Sequence, residues 1–186
     1  MDSGIKLLIY CFIFSYLVKV TGNNCNFLMN RLRINTFEKN LEMGVADLLF
    51  KRKKELAEKN LKEGQDFLVE NGQKDGVTTL PSGLQYEILV ETEEQKPKAK
   101  DTVKCHYHGT TITGKVFDSS VKRGKPASFP LNRVIKGWTE GLQLMSVGSK
   151  FRFTIPPHLA YGEQEVSKEI GPNSTLIFEV ELLDIK

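Results

Sequence analysis

The chain has 186 residues, 26 basic and 23 acidic side chains for a formal net charge of +3, and 40% hydrophobic and 26% charged residues. That length holds one domain of ordinary size plus an appendage, and the composition is that of a soluble globular protein, neither disordered nor membrane-filling. The small charge and the lack of a basic stripe interleaved with aromatics argue against a nucleic-acid partner. The one dense basic run, Lys51-Arg52-Lys53-Lys54, is followed at once by Glu55 and Glu58 and reads as a solvated helix face.

Residues 7–18 are apolar apart from Ser15 and lie between Lys6 and Lys19. The run is short for a membrane-spanning helix, which needs ~20 residues, and has the length of a signal-peptide core. Residues 1–22 therefore read as a signal peptide or, uncleaved, as an anchor, the one case in which the chain would touch a membrane. This predicts a secretory-pathway or secreted protein, with the endoplasmic reticulum lumen among the addresses. Residues 23–44 are rich in Asn and scattered charge without a period and read as a flexible linker.

A helical pattern runs over 45–72. Asp47 stands in its first turn, and Leu48, Leu49, Leu56, Ala57, Leu61 and Leu68 fall near one face. Glu55 with Lys59 and Glu58 with Lys62 have the favourable four-residue spacing, and Asn71-Gly72 supplies a stop. The thin apolar stripe predicts that the helix leans on its own domain or on a second copy, so the chain is a monomer or a helix-mediated dimer.

After Gly76 and Pro81-Ser82-Gly83 the period changes to two. Strands are expected over 84–90, 102–108, 150–155 and 175–185, with Val103, Cys105 and Tyr107 on one face and Lys104, His106 and His108 on the other. One short helix interrupts them, with Trp138, Leu142 and Met145 at helix-face spacing. Gly137 and Gly141, one turn apart, would let it approach the sheet closely. The expected fold class is α+β: a twisted antiparallel β-sheet wrapped around one short α-helix over 80–186, preceded by the long N-terminal α-helix. The three cysteines make no disulfide framework. Cys11 falls in the leader, Cys25 in the linker, and Cys105 is expected to be an inert buried thiol.

Taken singly, Trp138, Phe117, Phe178 and Tyr107 would be core residues, Asp118 a turn carboxylate and Tyr161 a structural phenol. Taken together they describe an apolar pocket with two polar markers, no nucleophile paired with a base and no metal-ligand cluster. His106 and His108, on the outer face, are expected to be solvent-exposed and not metal ligands. No cofactor or metal is implied.

Seven phrases occur in fixed order: Tyr107-His108-Gly109; Gly114-Lys115-Val116-Phe117-Asp118-Ser119-Ser120; Val134-Ile135-Lys136-Gly137-Trp138; residues 141–148; Ile155-Pro156-Pro157; Ala160-Tyr161-Gly162; and residues 178–183. Over 86–186 the chain resembles a complete FKBP-type peptidyl-prolyl isomerase domain. Residues 61–71 and 80–86 resemble the helix and junction of the Mip-like (macrophage infectivity potentiator) branch. The resemblance implies catalysis of X–Pro rotation in proline-containing polypeptides, assisting folding, and binding of tacrolimus- or rapamycin-like macrolides. It implies Asp118, Tyr161, Trp138 and Phe178 as catalytic residues, with Trp138 the floor under a proline ring. Tyr107, Phe117, Phe129, Val134, Ile135, Ile170 and Arg123 would bind substrate. The Tyr161 hydroxyl and the Ile135 N–H would donate to ligand carbonyls, and Arg123 would pair with Asp118.

The sequence departs from the family pattern at the rim. Ala127 stands where many relatives carry an aromatic wall, the 163–170 loop is unusually charged, Glu169 replaces a hydrophobic residue, and the proline pair is reduced to Gly171-Pro172. With the extra amphipathic helix, these departures support an alternative, an FKBP-fold chaperone or ligand-binding adaptor with little turnover.

Overall fold

The computed structural model describes residues 44–186. The apolar run at 7–18, the expected linker up to residue 43, and Cys11 and Cys25 lie outside the described residues.

Helix α1 spans Val45–Asn71 and is closed by the Gly72 N–H donating to Leu68 O at 3.0 Å. Strands β1 (Val77–Thr79), β2 (Gln85–Val90), β3 (Thr102–Thr111), β4 (Val116–Ser119) and β5 (Ala127–Pro130) follow. A 3₁₀ turn at Leu131–Arg133 then leads into α2 (Lys136–Leu142), β6 (Lys150–Ile155) and β7 (Leu176–Ile185). All pairings are antiparallel, in the order β1-β2-β6-β7-β3-β4, with β5 also on β3. The expected α+β architecture is present, and residues 51–186 form one unit.

The two-residue rhythm of β3 works as expected: Val103, Cys105 and Tyr107 are buried while Lys104, His106 and His108 are half-buried. Those two histidines are not the free surface groups that the pattern predicted. Residues 119–120 fold back along the β3 edge, and His106 Nδ1 and His108 Nδ1 lie 3.1 and 3.0 Å from the hydroxyls of Ser120 and Ser119.

Helix α2 packs on the sheet through its glycines. A Cβ on Gly137 would lie 2.6 Å from Ile155 Cγ2, and one on Gly141 would lie 2.6 Å from Phe153 Cε1. Both distances are below any real contact, so the absent side chains set how close α2 sits. That closeness brings Trp138, Leu142 and Met145 into the same buried cluster as Phe151, Phe153, Phe178 and Val180.

Helix α1 departs from its pattern. It does lean on its own domain, but through only part of the expected stripe: Ala57 and Leu68 are half-buried, whereas Leu56 and Leu61 stay exposed, as do Leu48 and Leu49. The docked face is Ala57, Asn60, Gly64, Leu68 and Asn71, with Gly64 buried. A Cβ on Gly64 would collide with Thr175 Oγ1. The grip is polar: Gln85 Nε2 donates to Leu68 O at 2.7 Å, and Asn71 Nδ2 donates to Gln85 Oε1 at 2.9 Å. Hydrogen bonding and a glycine notch supply much of the grip, so the apolar pattern locates the docked face only in part. The surface ion pairs also differ from expectation, being Lys51–Glu55 at 4.0 Å and Lys59–Glu63 at 3.8 Å.

Candidate active site

A cavity of about 500 Å³ opens among β3, β4, β7, the start of α2 and the loop after Tyr161. Trp138, in the first turn of α2, lines it and is only 5% exposed. Three rings stand nearly perpendicular to the indole: Tyr107 at 5.4 Å and 81°, Phe129 at 5.6 Å and 90°, and Phe178 at 5.3 Å and 82°. Edge-to-face packing of this kind is favoured by the ring quadrupoles and fixes the plane of the central ring. Phe117 joins the wall by standing edge-on to Phe178 at 5.3 Å. Gly109 makes that meeting possible. It lies opposite Asp118 on β4 and Phe178 on β7, and a Cβ there would come within 2.7 Å of Phe117 and 2.9 Å of Phe178.

The polar side of the cavity is a closed cluster. Tyr107 Oη donates to Asp118 Oδ2 at 2.5 Å, Arg123 Nη1 donates to Asp118 Oδ1, and Arg123 Nη2 donates to Tyr107 Oη at 2.7 Å. Chain geometry explains the convergence. Ser120 clamps the Tyr107 backbone, accepting from Tyr107 N–H through its hydroxyl at 2.7 Å and donating its own N–H to Tyr107 O at 3.0 Å. The excursion over 120–126 then returns Arg123 to the carboxylate. Burial pushes the Asp118 carboxyl upward, but hydrogen bonds from Tyr107 and Arg123 and the guanidinium charge outweigh it, so the acid sits below its ordinary range. Burial, then the bond to Asp118, raises the Tyr107 phenol. Tyr161 is raised by burial and by the Asp118 charge. Around neutral pH the site thus holds one paired carboxylate and two neutral phenols.

The Tyr161 side chain and Ile135, the residue that precedes α2, both line the cavity, and among the described residues the buried Trp138 indole N–H has no hydrogen-bond partner. Ten of the eleven residues expected from sequence line this one cavity: Tyr107, Phe117, Asp118, Phe129, Val134, Ile135, Trp138, Tyr161, Ile170 and Phe178. The eleventh, Arg123, lies outside the lining and acts on it through Asp118 and Tyr107. Ala127 is not among the lining residues, and Phe129, two residues on along β5 and itself expected in the site, stands against Tyr107 and Trp138. Glu169 likewise does not enter the cavity; it pairs with Lys115 at 3.2 Å.

Sequence reasoning missed Arg133, Val166 and Ser167, which also line the cavity. Arg133 was within reach, since it precedes the quoted Val134-Ile135 phrase. Val166 and Ser167 lie in an irregular loop and carry no periodic signal. Cys105 is fully buried away from the cavity, and burial pushes its thiol up to about 12. Among the described residues, no group of three or more His, Cys, Asp and Glu side chains is placed to hold a metal ion.

Residues 93–183 match the family described as FKBP-type peptidyl-prolyl cis-trans isomerase, and residues 26–88 match the domain amino-terminal to it. Among curated proteins, the chain is 54% identical over 130 residues to the FKBP-type peptidyl-prolyl cis-trans isomerase FkpA of Aeromonas hydrophila, covering 70% of this chain and 48% of that protein. It is 49% identical over 143 residues to the outer membrane protein MIP of Legionella longbeachae, covering 75% of this chain and 61% of the relative. The matches therefore span about half to three-fifths of those proteins. The crystal structure of FkpA from Escherichia coli superposes with a TM-score of 0.72 at 35% identity, covering 100% of this chain and 83% of that one.

Proposed function

Because the chain belongs to the FKBP-type peptidyl-prolyl cis-trans isomerase family, we propose that it catalyses rotation about X–Pro bonds by binding a twisted amide without covalent chemistry. The observation that carries this reading is the Trp138 indole in the wall of a cavity of about 500 Å³, held by three nearly perpendicular rings, with Tyr161 and Ile135 in the same lining.

Conjugation gives the X–Pro amide a barrier of ~18–20 kcal/mol, and unaided exchange takes on the order of 10–100 s. No bond is made or broken, so the protein has only to hold the twisted amide more tightly than the planar one. Planar amides are the more polar, because nitrogen shares its lone pair with the carbonyl. Aromatic walls that exclude water favour the twisted form, and Trp138 offers a flat seat for the prolyl ring. Tyr161 and the Ile135 N–H donate to substrate carbonyls. Asp118 is held ionised by Arg123, keeps Tyr107 oriented, and faces the amide as rotation redistributes its charge. Turnover on a Leu–Pro or Phe–Pro peptide tests this. Tyr161→Phe should lower kcat/KM about three- to tenfold, the worth of one hydrogen bond, and Asp118→Val about five- to tenfold, with the fold intact by circular dichroism. Wild-type rates in both folded variants would overturn the assignment.

The pH dependence follows from the same cluster. Asp118 titrates below its ordinary value and both phenols above theirs, so kcat/KM should be flat between about pH 5 and about pH 9. The sign for stability is that of a depressed acid: the Asp118 contribution is present above about pH 4 and is lost as pH falls through the lower folded value. A pH–rate profile with a step near neutrality would mean that another group does the work.

The substrate class in this reading is X–Pro bonds in unfolded or flexible polypeptides, with tacrolimus- or rapamycin-like macrolides as competing ligands. The chain is read as exported, which residues 7–18 and the outer-membrane name of the Legionella relative support. Among the described residues, no helix is long and apolar enough to cross a membrane. The exposed Leu56, Leu61 and Val69 of α1 support self-association through that helix, which sedimentation of the chain with and without residues 45–72 would measure.

A further inference from the structure

Residues 162–173 form a closed loop whose ends are joined by the Asn173 N–H donating to Gly162 O at 2.7 Å, with Asn173 at φ 55°. Inside it, the Val166 N–H donates to Ile170 O at 3.0 Å, and the N–H groups of Glu169 and Ile170 donate to Ser167 Oγ at 3.2 and 3.1 Å. A loop with joined ends and internal bonds behaves as one compact piece. This piece supplies Val166, Ser167 and Ile170 to the cavity, and Ile170 is 5% exposed.

The base of the loop is gripped by α1. Asn60 Nδ2 donates to Pro172 O at 2.8 Å across 112 positions of sequence. Asn173 Nδ2 donates to Ala57 O at 3.5 Å, and a Cβ on Gly171 would meet Asn60 Nδ2 at 3.0 Å and Leu56 Cδ2 at 3.4 Å. The helix therefore touches each of the three residues that follow Ile170. Its far end is tied elsewhere. Asn71 bonds Gln85 at 2.9 Å and Thr154 at 3.4 Å, neither of which lines the cavity.

We propose that Asn60 is a positioning residue for the cavity: through the Pro172 carbonyl it fixes the base of the 162–173 loop and so sets where Ile170 stands in the cavity wall. Without the amide, Pro172 O loses its donor from α1 and the loop base has one fewer fixed point. A wall that shifts by a fraction of an ångström changes its contact with a bound ring, because packed surfaces do not deform smoothly. The effect on substrate rests on the isomerase reading, whereas the placement of Ile170 does not.

The test compares the full chain as wild type, Asn60→Ala, Asn60→Asp and Asn71→Ala. The readouts are the Ile170 δ1-methyl chemical shift, KM for a Leu–Pro peptide, and binding of that peptide by the fluorescence of Trp138, the only tryptophan in the chain. Asn60→Ala and Asn71→Ala each remove anchoring from α1, so both should lower the melting temperature. Only the Asn60 variants should move the Ile170 methyl, and they should weaken binding and raise KM about three- to tenfold. Asn60→Asp keeps the side-chain shape while removing the donor, so it decides the matter if the alanine variant does not fold. An unmoved Ile170 methyl in a folded Asn60 variant, or an equal shift in Asn71→Ala, overturns the proposal. A wild type that turns over no X–Pro peptide overturns the isomerase reading instead, and the methyl shift still decides the role of Asn60.

Discussion

Replacing Trp138 with Leu is expected to cut kcat/KM on an X–Pro peptide about 10- to 100-fold, the largest loss among the single changes considered. Seating the three ring methylenes of proline against an apolar floor is worth about 2 kcal/mol at ~0.8 kcal/mol each, and ~1.4 kcal/mol is tenfold in rate. Leu keeps the position apolar but removes the plane. It also removes the surface on which Tyr107, Phe129 and Phe178 stand edge-on, so those rings lose their common reference. Stability should fall as well, by about 2–4 kcal/mol for a large-to-small change at a buried site. The measurement therefore pairs kcat/KM with near-ultraviolet circular dichroism, which reports the remaining rings. Trp138→Phe, which retains a flat ring, should recover most of the rate. Full activity in a folded Trp138→Leu protein would move the active site away from this cavity.

The second large effect is structural. Gly141→Ala should destabilise the protein by about 1–2 kcal/mol even though alanine is the better helix former. The helix gains ~1 kcal/mol in propensity, but the new methyl must displace Phe153, fully buried and only 2.6 Å from where the Cβ would stand. Overpacking of a tight core costs about 1–3 kcal/mol, and moving a fully buried aromatic ring should fall in the upper half of that range. Thermal unfolding should shift down by about 3–10 °C in a unit of this size. Because α2 also carries Trp138, the variant should lose turnover more than its stability alone explains. An unchanged or raised melting temperature would mean that α2 is not seated on the sheet as described.

These two residues also mark what could be read in the chain beforehand. Trp138 and Gly141 are neighbours on one short helix, and their spacing announces both the buried face and the close approach. Four of the seven strands were legible for the same reason, whereas the short β1, β4 and β5 carry too few residues to show a period. Alternation along Thr102–Thr111 separates Val103, Cys105 and Tyr107 from Lys104, His106 and His108 without knowledge of the partner strand. The cavity lining was legible through motif order, since Phe117, Trp138, Tyr161 and Phe178 belong to phrases that recur together. At the rim, where the chain departs from those phrases, Phe129 was already expected in the site, while Val166 and Ser167 were not.

The sequence by itself determined the two helices, the longer strands and the class of fold, because side-chain periodicity and local turn chemistry act within a few residues of one another, and motif order marked most of the cavity lining. Tertiary structure alone decided how α1 grips the sheet, that His106 and His108 are met by Ser120 and Ser119, and that Arg133, Val166 and Ser167 line the cavity. The physical reason is range. The Asn60 amide and the Pro172 carbonyl are 112 residues apart, and the Gly64 notch is defined only by the Thr175 side chain it receives. A hydrogen bond or a steric fit between such distant partners leaves no periodic trace along the chain, so it becomes visible only when the fold has brought the two together.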